Sequence, residues 1–328
     1  MPLRRFFRAL TLRHFWLVGT SHGSPLCDRG LFADLSLPLM VGLVLLGLIG
    51  LLAACGPLGP DAGSGGSAAA SAIENKGSDT LVNLALAWAE AYMALHPEVR
   101  ISVTGGGSGT GIAAMINGTV DVANASRAMK PEEIAAAQAN GITPVKFVVA
   151  RDAIAIVVHP SNPLDGLTLQ QISDIYTGKI DNWSQVDGED RPIVLLSRES
   201  NSGTYVYFLE NVIRLGDKDS DLLFSPDTLL MPSSEGISAE VRQNPNAIGY
   251  DGLGYVTPDQ KMLAVARGAS GSYVLPSMET VNDGSYPIAR PLYMYTAGEP
   301  SGQVKLYLDW ILGDGQSLVP ELGFVLLR

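Results

Sequence analysis

Short runs of apolar and β-branched residues alternate with helical patterns along most of the chain, and this alternation limits the folds that it can adopt. Strands are predicted at 73–76, 99–104, 119–123, 145–150 and 154–158, and helices at 81–95, 111–116 and 131–139. In the first of these helices the apolar side chains recur every three or four residues, which places them on one face. The order strand, helix, strand, helix, strand is typical of an α/β protein with a mostly parallel sheet and helices on both faces.

The alternation starts again in the second half of the chain. Helices are predicted at 169–176, 204–213 and 303–312, with strands at 192–196 and 248–250 between them. The chain has 328 residues, of which 46% are hydrophobic, so it is long enough for two such units, each with a core. The sequence therefore predicts two doubly wound α/β lobes. Ligands of such folds bind where strands end, in a cleft between the lobes.

The first 54 residues differ in composition from the rest. Arginines within the first 13 residues precede an apolar run at 35–54, which ends in Leu-Ala-Ala before Cys55. A basic stretch, an apolar stretch and small residues before a break point indicate an export signal. We therefore predict a signal peptide over 1–54. The alternative is an uncleaved membrane helix, because about 20 apolar residues can span a bilayer.

The remainder of the chain starts with a low-complexity segment and is acidic. Residues 55–71 are rich in Gly, Ala, Ser and Pro and lack apolar periodicity, which predicts a flexible tether. Beyond residue 54 there are 31 acidic and 17 basic residues. Such a surface argues against a nucleic-acid partner. An anionic ligand would have to be held by local dipoles and a few donors rather than by the overall field.

The tripeptide Ser-Gly-Thr occurs twice, at 108–110 and 202–204, and each copy opens a predicted helix. Free backbone N–H groups and the helix dipole make a helix N-terminus a ready anion site. A hydroxyl at the cap adds a donor, and glycine lets an oxyanion approach the backbone closely. Arg198, four residues before the second copy, would add a planar fork of donors suited to phosphate or carboxylate. One such tripeptide is usually only a helix cap, whereas two beside an arginine indicate a tetrahedral oxyanion.

Four segments with this chemistry lie where a predicted strand passes into a helix. They read G-S-D-T at 77–80, G-G-G-S-G-T-G at 105–111, A-S-R at 125–127 and R-E-S-N-S-G-T at 198–204. Each offers small hydroxyl residues, backbone N–H groups or arginine. Their comparable positions at strand ends would bring them to one cleft. The sequence therefore predicts one shared anion site.

These segments, with Y-T-G-K-I-D-N-W at 176–183, resemble in their order the phosphate-binding component of bacterial phosphate ABC transporters. The resemblance covers residues 72–328. It implies an α/β, two-lobed periplasmic-binding-protein-like fold of type II, in which a two-crossing hinge joins the lobes. The first lobe would contain 72–152 and 258–328, and the second 153–257.

The resemblance also implies which residues hold the phosphate. The first lobe would supply Thr80, Leu81, Ser108 and Ser126, and the second lobe Arg198, Ser202, Gly203 and Thr204. Additional contacts would come from Ser78, Asp79, Gly109, Thr110 and Arg127. The family binds and delivers its ligand without catalysis, so we expect no catalytic residue, metal or cofactor.

The same resemblance implies a location and partners. Residues 52–55 look like a bacterial lipobox, in which Cys55 becomes the lipid-carrying N-terminus. We expect a monomer anchored by that lipid to the outer face of the cell membrane. Its partners would be inorganic phosphate and the permease subunits of an ABC transporter, and not nucleic acid.

One position departs from the pattern of the family. Some members have an aspartate where Ser126 stands, and a carboxylate there accepts the phosphate proton and disfavours sulfate, which has none. In this chain the acceptor would be Ser126 itself, Asp79 or Glu199. Sulfate, molybdate or another oxyanion therefore stays open as the ligand.

A phosphoester hydrolase is the less favoured alternative. After residue 54 the only histidines are His96 and His159, and each precedes a proline. Ser202 would therefore lack an evident base, and no G-x-S-x-G elbow surrounds it.

Overall fold

A computed structural model of the chain describes residues 71–327, and the first half of this part follows the predicted alternation. It contains β1 (Ser71–Gly77), α1 (Asp79–Leu95), β2 (Val99–Thr104), α2 (Ser108–Ile116), β3 (Val122–Ala125), α3 (Pro131–Ala139) and β4 (Val145–Val158). Leu84 and Trp88 of α1 are fully buried, as the amphipathic spacing predicts. The predicted signal peptide over 1–54, Cys55 and the tether over 55–71 lie outside the described residues, apart from Ser71.

The second half adds shorter elements. They are β5 (Gly166–Thr168), α4 (Leu169–Tyr176), β6 (Val194–Arg198), α5 (Gly203–Phe208), β7 (Leu229–Met231), α6 (Ser234–Gln243), β8 (Ala247–Gly252), β9 (Lys261–Ala266), α7 (Met278–Asn282), β10 (Ala289–Thr296), α8 (Gly302–Leu312) and α9 (Leu318–Glu321). A π-helical turn, Leu209–Ile213, continues α5, and a short 3₁₀ turn, Leu253–Tyr255, follows β8. Among the helices of residues 71–327, none combines the length and the apolar character that crossing a bilayer requires.

The described strands form one mixed sheet. Their order along it is β2-β1-β3-β10-β4-β8-β6-β7, and β9 pairs with both β4 and β5. Strands β1, β2 and β3 are parallel to one another, as are β6, β7 and β8. At the centre, however, β10 is antiparallel to β3 and β4, and β4 is antiparallel to β8 and β9. The expectation of a mostly parallel sheet is wrong there, because β10 enters from the far end of the chain and separates β3 from β4.

Strand β4 belongs to both lobes of this α/β architecture. Its residues 145–153 pair with β10, and its residues 154–158 pair with β8. The core of the first lobe includes Ile73, Leu84, Trp88, Met294 and Tyr307. The core of the second lobe includes Ile156, Tyr176, Trp183, Phe208 and Tyr250. The chain therefore passes from one lobe to the other within a continuous strand.

Strand pairing differs from the expected lobe boundary at 257/258. Strand β9 pairs with β4 and β5, and Val281 and Ile288 pack in the core of the second lobe. From Ala289 onward, β10 pairs with first-lobe strands, because the chain has to cross back before β10 can insert beside β3. We therefore propose that the second lobe extends over 153–288. Tyr255 is the exception, because its side chain packs in the core of the first lobe.

Candidate functional site

Three of the four predicted loops follow the parallel strands β1, β2 and β3, and the fourth follows β6 in the other lobe. Strands β1 and β3 approach so closely that a Cβ on Gly77 would lie 2.2 Å from the Asn124 carbonyl oxygen. Ser78 N donates to that same oxygen at 2.9 Å, and Gly107 N donates to the Gly77 carbonyl at 2.9 Å. These bonds join the loops, so α1 and α2 begin next to each other.

Hydroxyl groups from both lobes meet in the cleft. Thr80 Oγ1 of the first lobe lies 2.8 Å from Thr204 Oγ1 of the second. Ser108 Oγ lies 3.2 Å from Ser126 Oγ and accepts a hydrogen bond of 2.9 Å from Ser126 N. Each of these residues is at most 1% exposed. We call Thr80, Ser108, Ser126 and Thr204 the hydroxyl cluster.

Gly203 allows the second lobe to reach this cluster. A Cβ on Gly203 would lie 2.3 Å from Ser108 Oγ and 2.6 Å from Ser126 Oγ. Beside it, Ser202 is the N-cap of α5, and its Oγ accepts a hydrogen bond of 3.2 Å from Thr204 N. The start of α5 therefore directly faces the hydroxyls of the first lobe.

Arg198 lies behind this helix start and is 2% exposed. Its Nη1 donates to Ser234 Oγ at 3.1 Å and lies 3.1 Å from Asp79 Oδ2, and its Nη2 donates to the Pro232 carbonyl at 3.0 Å. Its Nε is buried and has no hydrogen-bond partner among the described residues. Both terminal nitrogens of the guanidinium are thus hydrogen-bonded, whereas the Nε–H is unpaired.

Asp79 connects the two lobes. Its Oδ2 pairs with Arg198 and also accepts a hydrogen bond of 2.9 Å from Ser234 N at the start of α6. Its carbonyl accepts a hydrogen bond of 2.7 Å from Tyr255 Oη. One oxygen of this carboxylate is therefore occupied by second-lobe donors, which makes Asp79 a brace for Arg198.

Two other residues of the first loop differ in what they can offer. Ser78 is 2% exposed, and its Oγ has no partner among the described residues. Leu81 packs its side chain in the core of the first lobe, and its N–H donates to the Ser78 carbonyl at 3.1 Å. Ser78 therefore has a free hydroxyl, whereas Leu81 can reach a ligand only through its backbone.

Gly109, Thr110 and Arg127 lie at the margin of the cluster. Gly109 N donates to the Asn201 carbonyl at 3.0 Å, which is a contact between the lobes. Thr110 Oγ1 donates to the Gly106 carbonyl at 2.7 Å. The Arg127 guanidinium is engaged in a two-pronged pair with Glu133, at 2.7 and 2.6 Å. Burial raises the pKa of Glu133, but the hydrogen bonds from Arg127 and from the Lys130 backbone outweigh it and lower that pKa.

Sequence reasoning missed a buried ion pair that contacts the cluster. Arg290 Nη2 lies 3.0 Å from Asp152 Oδ2, and the side chains are 1% and 0% exposed. Arg290 Nη2 also donates to Thr204 Oγ1 at 3.0 Å and to Thr80 Oγ1 at 3.4 Å. Its Nη1 donates to the Ser126 carbonyl at 3.0 Å. The available signal was Asp152 itself, a charge inside an apolar run that needs a buried partner.

A second buried carboxyl lies behind Arg198. Burial raises the pKa of Asp251 to about 8, although a hydrogen bond from Ser234 and the charge of Arg198 oppose the shift. Ser238 Oγ also donates to Asp251 Oδ2 at 3.4 Å. Burial likewise raises the pKa of Asp152, against the pull of Arg290. Arg198 and Arg290 each have a buried acidic residue near them.

The chemistry of the site is that of hydrogen-bond donation. His96 stacks on Tyr92 at 4.3 Å, and His159 bonds to Ser161 at 2.8 Å; within residues 71–327 neither histidine has a hydrogen bond to Ser202. Within residues 71–327, no group of three or more His, Cys, Asp or Glu side chains could hold a metal ion. The buried hydroxyls of the cluster and the unpaired Nε–H of Arg198 suit an anion that accepts several hydrogen bonds.

Comparison with known proteins shows relatives over almost the whole described part. A family model, the PBP superfamily domain, matches residues 62–315. The phosphate-binding protein PstS of Pseudomonas aeruginosa is 34% identical over 271 residues, which cover 77% of this chain and 82% of that protein.

Solved structures agree with this likeness. A protein of Clostridium perfringens with bound phosphate is 33% identical, with a TM-score of 0.70, and the match covers 79% of this chain and 100% of that one. An ABC-type phosphate transport receptor of Vibrio cholerae is 28% identical, with a TM-score of 0.63, over 78% of this chain and 100% of that one. The expected two-lobed, periplasmic-binding-protein-like α/β fold is confirmed.

Proposed function

We propose that this chain, which belongs to the PBP superfamily and within it to the family of phosphate-binding proteins PstS, binds inorganic phosphate between its lobes and delivers it to an ABC transporter permease. The observation that carries the proposal is the meeting of buried hydroxyls from both lobes, Thr80 and Thr204, beside the guanidinium of Arg290. A tetrahedral oxyanion accepts hydrogen bonds in all directions, so donors on both sides of a cleft suit it. The same chemistry in one lobe alone would bind an anion without closing around it.

In this proposal each predicted residue has a defined role. The phosphate oxygens accept hydrogen bonds from the hydroxyls of the cluster and from backbone N–H groups at the starts of α1, α2 and α5. The proposed ligands are Thr80, Leu81, Ser108, Ser126, Arg198, Ser202, Gly203 and Thr204, with Ser78 as an additional donor. The free Ser78 hydroxyl and the unpaired Arg198 Nε support these two assignments. Asp79 acts through Arg198, which it braces.

Closure of the cleft follows from the position of the donors. Only the closed form satisfies the anion from both lobes, so the anion favours closure by hinge bending. Each hydrogen bond to a charged group contributes about 1.5–3 kcal/mol, and a micromolar dissociation constant corresponds to about 8 kcal/mol. A handful of the proposed bonds is therefore enough for micromolar or tighter binding.

We also propose where the protein acts and that it is not an enzyme. The protein acts outside the cytoplasm as a monomer, anchored through a lipid on Cys55, and holds phosphate without transforming it. The names of the relatives support a transport role, and the apolar run that ends at Cys55 supports the anchor. Replacement of Cys55 by alanine should release the protein from membranes. Continued tight association would favour an uncleaved helix.

The direct test is calorimetric titration of the protein with phosphate, sulfate and molybdate. We expect phosphate to bind with micromolar or lower dissociation constant, and Arg198→Ala to weaken binding by at least about tenfold, because it removes a charge-assisted donor. Arg214→Ala is the matched control, since Arg214 bonds to the Leu222 carbonyl elsewhere in the second lobe. Tighter binding of sulfate or molybdate, or turnover of a generic phosphoester, would overturn the proposal.

A further inference from the structure

We propose that Arg290, held by Asp152, is a positioning residue that orients the hydroxyls of Thr80 and Thr204 so that one of them donates to the other and the remaining hydrogen is directed toward the bound anion. The inference rests on the proposed binding of phosphate and adds to it a residue pair outside the predicted ligand set. Arg290 lies on β10, more than 80 residues from each threonine that it contacts.

The guanidinium of Arg290 is fully directed by its surroundings. Its Nε and Nη2 donate to the same oxygen of Asp152, at 3.3 and 3.0 Å, and its Nη1 donates to the Ser126 carbonyl at 3.0 Å. Asp152 is held in turn by Leu253 N at 3.3 Å. These contacts orient Nη2 so that its remaining hydrogen is directed at the two threonines, at 3.0 Å from Thr204 and 3.4 Å from Thr80.

The direction of the threonine hydroxyls follows from proton counting. A guanidinium has donors and no acceptor, so Thr204 Oγ1 and Thr80 Oγ1 must accept where they meet Arg290. Each hydroxyl has a single hydrogen, and that hydrogen must then point away from Arg290. In the contact of 2.8 Å between the two threonines, one hydrogen is shared between the oxygens and the other is left for another acceptor. Arg290 thus makes this part of the cluster a donor surface, which selects an anion.

The charge of the pair supports the same role. A buried ion pair costs desolvation energy and is often no more stabilising than apolar residues of the same volume, so stability alone does not explain Asp152 and Arg290. Asp152 balances the cation, while the positive end of the pair faces the threonines. The pair therefore adds electrostatic support beside the anion and leaves the direct contact to the hydroxyls.

The position of the pair links it to both lobes. Asp152 lies on β4 next to Ala153, where the pairing of β4 passes from β10 to β8, and Arg290 follows Ala289 at the start of β10. Arg290 contacts Thr80 and Ser126 in the first lobe and Thr204 in the second. Contact with Thr204 requires the lobes to be close, so this arginine orders the donors in the closed form.

The test compares phosphate affinity by calorimetry in variants of the whole chain. Arg290→Gln alone would leave Asp152 buried without its cation, so the variant that carries the test is Arg290→Gln combined with Asp152→Asn, where amide faces amide. We expect it to keep the wild-type circular dichroism and to bind phosphate about tenfold more weakly, because the threonine hydroxyls are no longer fixed. Arg214→Gln is the control and should stay within about twofold, since Arg214 bonds to the Leu222 carbonyl within the second lobe.

A double-mutant cycle separates positioning from a merely structural role. In a Thr204→Val background the loss caused by the Arg290/Asp152 variant should shrink at least about threefold, because one of the hydroxyls that it acts through is gone. An equal loss in both backgrounds, or wild-type affinity in the variant, would overturn the inference while leaving phosphate binding intact. Failure of the wild-type protein to bind phosphate would overturn the proposed function, and this inference with it.

Discussion

The two Ser-Gly-Thr tripeptides are identical in sequence but use different residues to reach the cleft. In the first, Ser108 is the first residue of α2 and follows Gly107, whose φ is +94°. In the second, Ser202 is the N-cap of α5 and has an extended backbone. The second helix therefore begins one residue later within its tripeptide. Because successive residues of an α-helix are about 100° apart, the same side chains point in different directions.

The hydroxyls show the result of this shift. In the first copy Ser108 joins the hydroxyl cluster, while Thr110 bonds back to the Gly106 carbonyl. In the second copy Thr204 joins the cluster, while Ser202 caps its own helix. A repeated tripeptide thus identifies helix starts, but the backbone just before it decides which side chain reaches the hydroxyl cluster.

The glycines of the two copies should give the largest contrast. A Cβ on Gly203 would lie 2.3 Å from Ser108 Oγ, so Gly203→Ala forces the lobes apart and should weaken phosphate binding on the order of a hundredfold. A Cβ on Gly109 would lie 3.3 Å from the Asn201 carbonyl, which a small shift relieves. Gly109→Ala should therefore stay within about threefold of wild type. Calorimetric titration measures the phosphate affinity of both variants. Equal losses of affinity would show that the two glycines do not differ in the way that their contacts predict.

The threonines should give the next contrast. Thr204→Val removes a hydroxyl of the cluster and should weaken phosphate binding about tenfold, because a donor to the anion is lost. Thr110→Val removes a hydroxyl that bonds to its own loop, and we expect less than about a twofold change. If Thr110→Val weakened phosphate binding more than Thr204→Val, then Thr110 would contribute to the phosphate site, contrary to this prediction.

The third contrast concerns the stability of the fold around Arg198, the arginine that lies four residues before the second copy. Asp251, behind Arg198, has a pKa raised to about 8 by burial, so the folded protein keeps a proton that the unfolded chain loses above its ordinary value of 3.8. The free energy of unfolding should therefore fall as pH rises from about 4 to about 8, by at most about 1.4 kcal/mol per pH unit. In Asp251→Asn this contribution should be absent.

Urea unfolding at about pH 5.5 and at about pH 8.5 measures how the free energy of unfolding changes with pH. Asp227→Asn is the matched control, because Asp227 is an exposed carboxyl in the same lobe. If Asp251→Asn kept the wild-type slope, a different group would titrate behind Arg198.

Much of the fold was readable from local patterns, and the errors have physical causes. The predicted strand 99–104 and helices 131–139 and 169–176 match β2, α3 and α4 in their bounds. The three-residue strands β5 and β7 were missed, because so few residues show no period. Two strands were expected within 145–158, because Arg151 and Asp152 interrupt its apolar run. The structure has one strand there, since Asp152 is paired with Arg290.

The candidate site likewise contains residues that could be recognised from the sequence and residues that could not. Loops with hydroxyls and glycines at strand ends could be recognised from sequence, and the structure brings Thr80, Ser108, Ser126 and Thr204 together. Their role as phosphate ligands stays a prediction. Arg290 could not be recognised, because 210 residues separate it from Thr80 and no local pattern marks a residue that acts through another. Side chains that support a site from a distant strand are visible only after folding.

The continuous strand β4 limits how this molecule can be rearranged in evolution or by design. A lobe attached through flexible linkers can be exchanged for the lobe of a relative, but here residues of both halves share one run of backbone pairing from Val145 to Val158. Because side chains alternate between faces, a single residue inserted at Ala153 would turn all the following ones to the opposite face of the sheet. The halves are therefore not interchangeable modules, and a chimaera has to carry β4 and its partners over as one piece.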